Sequence, residues 1–189
     1  MWPHGCSRGV ACLRLVATLL IVVPLAGTMS CGKKETRAEA ITRTNAVSMK
    51  PVSLYFEGPD LLLWSEVRQL PVPANDAAAV SVVVNELLKG SANTAVARPF
   101  PADATLRAAY LLPDGNAIID LGGPTLSGGW NAGSHQEMMA VYAMVQTIAS
   151  NFPQVRRVRL LINGEPAETL AGHIALSHPL APLPALVRK

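Results

Sequence analysis

Asp120, Ser127 and His135 fall within one short stretch and carry the side-chain types of a nucleophilic hydrolase. A base that takes the hydroxyl proton and a carboxylate that orients the base would be the chemistry. No Gly-x-Ser-x-Gly elbow supports it. A glycine-rich loop, a histidine at a helix start and a strand aspartate account for the same residues, and that reading is preferred. His135, His173 and His178 with Glu137 are candidate metal ligands, but their spacing matches no zinc pattern. Surface or structural roles are favoured for them. Asp114 and Asp120 flank a turn and could bracket a sugar; turn and strand placement explains them equally. Trp64 and Trp130 are candidate stacking platforms for a small ligand. The chain has no phosphate-binding Gly-Lys-Ser/Thr, no His-Glu-x-x-His and no dinucleotide fingerprint. No catalytic residue, metal or cofactor is assigned.

The elements that must position these residues are legible from apolar spacing. Val52 to Glu57 reads as a strand, the Gly58-Pro59-Asp60 cluster as a turn, and Leu61 to Leu70 as a partner strand stopped by Pro71 and Pro73. Val80, Val83, Val84, Leu87 and Leu88 recur at helical spacing, with Asn75 or Asp76 as cap and Gly90 as terminator. Leu106 to Leu112 and Ala117 to Leu121 form a second strand pair around Pro113-Asp114-Gly115-Asn116. Gly122 to Gly133, with five glycines, reads as a flexible connection. Ser134 and Glu137 predict a capping box for a second helix that Pro153 ends. Its stripe of Val141, Val145, Ile148 and Phe152 is expected to meet Val158, Leu160 and Ile162 of a last strand at the centre of the core. Glu168 to Ile174 is expected to return along an edge. The predicted architecture is α+β: a small, mostly antiparallel sheet with two helices packed on one face.

Arg157 and Arg159 share one face of that last strand, and Arg156 lies on the other. A solvated sheet surface explains them. The alternative is docking, for which Arg157, Arg159 and Trp130 are the candidates.

Of 189 residues, 50% are hydrophobic but only 5% aromatic and 15% charged, which suits one domain with tails. The net charge of +3 belongs to the ends. Residues 51–180 carry seven basic and eleven acidic side chains, a balance of −4. Such a core collects phosphates poorly, so nucleic acid is not an expected partner.

Residues 1–30 read as an export signal. Arg8 and Arg14 precede a 13-residue apolar run, Leu15 to Gly27. As a helix it would rise only about 20 Å, short of a hydrocarbon core of about 30 Å. Leu25 to Cys31 resembles a bacterial lipoprotein signal, in which the Cys after the cleaved bond carries the lipid. Cys6 and Cys12 fall within the signal, so only Cys31 would survive processing, and lipidation would remove a lone exposed thiol. An ordinary cleavage leaving Cys31 free is the alternative. Residues 31–50 then form a lipidated tether, basic overall, beside an anionic membrane surface. Residues 51–180 are the domain and 181–189 a tail.

Several pieces of that domain, in order, resemble a GerMN domain of bacterial sporulation and germination lipoproteins. They are Val52 to Phe56, Glu66-Val67-Arg68, Leu87 to Gly90, Phe100-Pro101-Ala102, Asp114-Gly115 with Ile119 to Leu121, and Gly133-Ser134 with Glu137. Thr147-Ile148, Phe152 to Val155, Asn163-Gly164 and Leu170 to His173 complete the set. The resemblance implies a fold similar to ring-building-motif domains and a non-catalytic, extracytoplasmic envelope module. Its expected partners are other envelope proteins, including peptidoglycan-associated ones, with the membrane reached through the lipid. Two other readings stay open. One is a peptidoglycan hydrolase or its activator, using His135, Glu137, Asp120 and His173. The other is a periplasmic small-ligand binder.

Overall fold

Val52, Leu54 and Phe56 are buried while their neighbours Ser53, Tyr55 and Glu57 are only partly so, the period of two that a strand covered on one face requires. They lie in β1 (Val47–Glu57), which pairs antiparallel with β2 (Leu63–Pro73) as a two-stranded ribbon. The computed structural model describes residues 47–189. The expected signal, Cys31 and the tether through residue 46 lie outside the described residues.

β2 runs past the expected stop at Leu70, through Pro71 and Pro73, which pair with Met49 and Val47. Both prolines stand at positions whose N–H would point away from β1, so no ladder bond is lost. α1 (Asp76–Lys89) follows, capped by the Asn75 side chain, which accepts from Ala78 N at 3.0 Å. Gly90 closes it at φ 82°.

The second sheet has the order β3–β4–β5–β6. β3 (Thr105–Leu111) and β4 (Asn116–Gly122) form the expected hairpin. β5 (Arg157–Ile162) lies parallel to β4, because the chain crosses over through α3 (Ser134–Asn151) before returning. β6 is a short stub, Glu165–Pro166. The fold class is α+β, with a ribbon and a mixed sheet in place of one mostly antiparallel sheet. The glycine-rich connection holds a five-residue helix, α2 (Pro124–Gly128). Residues 168–174 form bends rather than an edge strand.

Val141, Val145 and Ile148 of α3 and Phe152 at its C-terminal cap are buried in one cluster with Val158 and Leu160 of β5, while Ile162 packs against it half-buried. That cluster also takes in the α1 stripe, the inner face of β1 and buried residues of β2, β3 and β4, so the meeting of α3 and β5 is one side of a larger shared core. A smaller cluster of Leu63, Met139 and Ala143 is covered by Tyr55, Leu186 and Val187.

Candidate functional site

Three polar side chains are buried among the described residues: Asp120, Glu137 and Thr147. Burying a carboxylate costs free energy unless hydrogen bonds compensate, so such groups mark where chemistry or architecture demanded them.

Glu137 sits in the first turn of α3 and is wholly inaccessible. The expected capping box does not form. Gly133 is the N-cap, Ser134 is already helical, and no side chain caps the helix. The carboxylate turns instead to the loop of residues 168–174. Its Oε1 accepts from Leu170 N at 2.7 Å and Ala171 N at 2.9 Å. Its Oε2 accepts from His173 N at 2.8 Å and Ile174 N at 3.2 Å, and meets His173 Nδ1 at 3.1 Å. Burial alone would raise this carboxyl's pKa. The amide donors of Ala171, Leu170 and His173, with the His173 ring, outweigh it and hold the group below its ordinary value of about 4.5.

Asp120 plays a similar part on β4. It accepts from Gly164 N at 2.8 Å and from Arg107 Nε at 3.1 Å. Asn163 Nδ2 donates to Ser127 Oγ at 2.6 Å, which ties the turn after β5 to α2. Thr147 Oγ1 accepts from Tyr55 N at 3.1 Å.

The histidines among the described residues do not converge. His135 Nε2 lies 2.6 Å from Glu57 Oε1, His173 pairs with Glu137, and His178 Nδ1 contacts only Ser177 Oγ. Ser127 Oγ donates to Gly123 O and accepts from Asn163, so it bonds neither His135 nor Asp120. Among the described residues no group of three or more His, Cys, Asp or Glu is placed to hold a metal ion. Asp114 accepts from Asn116 N and Nδ2 within its own turn, the first of which does most to lower its pKa.

Trp130 is half-buried and stacks on Phe100 with ring centroids 6.5 Å apart. Trp64 lies under the Arg188 guanidinium at 4.1 Å and donates from Nε1 to Asp60 Oδ1 at 2.7 Å. Arg157 is exposed, and Arg159 is half-buried, its Nη2 reaching Ser177 O at 3.2 Å. Sequence reasoning missed Arg68, which binds Glu86 Oε1 and Glu66 Oε1 at 2.7 Å each and donates to Gly90 O. Its signal was available: Glu66 and Arg68 alternate with Val67, which puts both charges on the strand face that meets α1.

A family model described as sporulation and spore germination, Germane, matches residues 53–168. The chain belongs to this family. Three solved structures resemble this Germane domain. A candidate lipoprotein of Clostridium perfringens is 21% identical over 71% of this chain and 88% of its own, with a TM-score of 0.51. The first GerMN domain of the sporulation protein GerM from Bacillus subtilis is 20% identical over 70% of this chain and 97% of its own, at 0.53. The tandem GerMN domains of that protein are 21% identical over 71% of this chain and 46% of theirs, at 0.50. At these identities the likeness is one of fold. No curated protein sequence matches the chain.

Two stretches that carry the resemblance, Gly133-Ser134 with Glu137 and Leu170 to His173, are thus one structural unit. In this Germane domain Glu137 and Asp120 hold backbone amides, whereas His135 pairs with Glu57 and Ser127 with Gly123 O and Asn163.

Proposed function

We propose that the protein is an exported, lipid-anchored module of the bacterial cell envelope that binds another envelope protein and catalyses nothing. Membership of a sporulation and germination family supports the setting, as does a structural relative described as a candidate lipoprotein. Cys31, outside the described residues, is the proposed lipid site. The engagement of both Glu137 oxygens by loop amides, and of Asp120 by the Gly164 amide and Arg107, speaks against the hydrolase alternative, because these carboxylates are already committed to structural bonds.

The observation that carries the docking reading is the outer face of the four-stranded sheet. The inward residues Ala109, Ile119 and Leu160 are buried in the core. Strand pairing puts Tyr110, Ile118 and Arg159 in one row on the opposite face, with Asn116 and Arg157 beside it. Tyr110 is 53% exposed there. A row with an aromatic, an aliphatic and a guanidinium suits a protein partner, since these types anchor interfaces.

Crosslinking in intact cells followed by identification of the captured protein tests this. Capture should be lost when Arg157 and Arg159 are both changed to Glu, with the thermal melt unmoved. Capture retained with the melt unmoved would place docking elsewhere, and the loop around Trp130 would be next. Turnover of peptidoglycan by the purified chain, with or without zinc, would overturn the non-catalytic reading.

A further inference from the structure

The outer face of the β1–β2 ribbon divides into two halves. Near the turn, Tyr55 and Leu63 are covered by Met139, Ala143 and the C-terminal Leu186 and Val187. Among the described residues the other half is uncovered. Val47, Met49 and Val67 are 60%, 63% and 62% exposed. Strand pairing puts Val47 opposite Pro73, Met49 opposite Pro71 and Ser53 opposite Val67, so these residues share one face. Val47 and Met49, with Pro51, Pro71 and Pro73, form an apolar strip where the described chain begins, and Val67 lies on the same face beyond the exposed Gln69.

Building on the anchored reading above, we propose that this bare half-face lies against the lipid bilayer that holds the anchor. Three observations favour a bilayer over other covers. The segment 32–46 joins Cys31 to the ribbon, and sixteen peptide units extend at most about 55 Å, so the ribbon end is the described part of the chain nearest in sequence to the anchor. That segment carries Lys33, Lys34, Arg37 and Arg43 against Glu35 and Glu39, and Lys50 follows, so the approach is basic and suits anionic lipid. Ile41 is its only large apolar residue, so it cannot itself cover the patch.

The backbone agrees. Odd-numbered residues of β1 direct their polar groups outward, as the bonds from Ser53 N and Tyr55 N to α3 side chains show. Pro51 on β1 and Pro71 and Pro73 on β2 stand at such outward positions and have no N–H. The ribbon end is therefore poor at recruiting another strand, and it brings few unpaired donors to an apolar interface.

A photoreactive side chain placed at position 49, 67 or 110 of the full chain, in membranes of expressing cells, tests the proposal. Lipid adducts are expected at 49 and 67, with loss of the signal at 110 on the far sheet. Adducts only to protein at 49 and 67, a second copy included, would overturn it, and so would no adduct at either. The anchor is scored apart, by fatty-acid label that disappears in Cys31→Ala. Label at Cys31 without lipid adducts sinks the surface proposal alone; lipid adducts without label sink the anchor alone.

Discussion

The Glu137 carboxylate and the His173 backbone nitrogen are 2.8 Å apart although 36 residues separate them. This contact and its three amide neighbours fix the segment after β6 against the start of α3. A carboxylate accepts several donors at once, which no neutral side chain of that size does.

Acid should loosen this joint. A carboxyl held below about 4.5 in the fold contributes stability that is fully present above that pH and is lost as pH falls through its lower folded value. Glu86 shifts the same way, its burial outweighed by Lys89 and Arg68, so it contributes to the same acid branch. Glu137→Gln isolates one part. It should destabilise the domain at pH 7 by about 2–4 kcal/mol, since a carboxamide leaves amide donors facing its NH2. It should also flatten the acid branch. Denaturant unfolding across pH 3 to 7 reads both; an unchanged acid slope would disprove the assignment.

Asn151 closes the open edge of β1. Its Oδ1 accepts from Ser53 N at 2.9 Å and its Nδ2 donates to Ser53 O at 2.7 Å, as a neighbouring strand would. Asn151→Ala should cost about 1–3 kcal/mol, the range for stranding buried polar groups. Amide exchange at Ser53 should quicken with it. Asn151→Asp keeps the acceptor but turns a carboxylate oxygen towards the carbonyls of Ser53 and Thr147, so it should be no more stable than Asn151→Ala.

Gly123 leads into α2 at φ 132°, and a Cβ there would stand 2.5 Å from the carbonyl oxygen of Asp103. Backbone cannot swing away as a side chain can. Gly123→Ala should therefore destabilise by about 1–3 kcal/mol, the usual cost of strain at such a position. Gly128→Ala, with open space around it, is the control and should leave the melt nearly in place.

Val145 is fully buried in the core cluster, whereas Arg157 and Arg159 face outward from β5. Val145→Asp should unfold the domain, because an unpaired buried charge costs several kcal/mol, comparable to its whole stability. The Arg157→Glu, Arg159→Glu pair should shift stability by only about 0.5 kcal/mol. Thermal melts of both variants check the contrast; a lowered melt in the arginine pair would assign those side chains to the fold.

Periodicity in the sequence determined β1, α1, the β3–β4 hairpin, α3 and β5, because each buries one face and the apolar spacing records which face. The family was legible too, from short pieces in a fixed order. Tertiary structure alone decided the rest. The capping-box pattern of Ser134 and Glu137 is local, but the amides that claim Glu137 lie more than thirty residues onward. They are stronger in number than one N-cap amide. The division into two sheets, and the parallel β4–β5 pairing, follow from where α3 carries the chain, which the strand pattern does not encode. Pro71 and Pro73 read as breakers in sequence because a proline lacks its N–H everywhere. Only the register shows that those missing donors point away from the ladder.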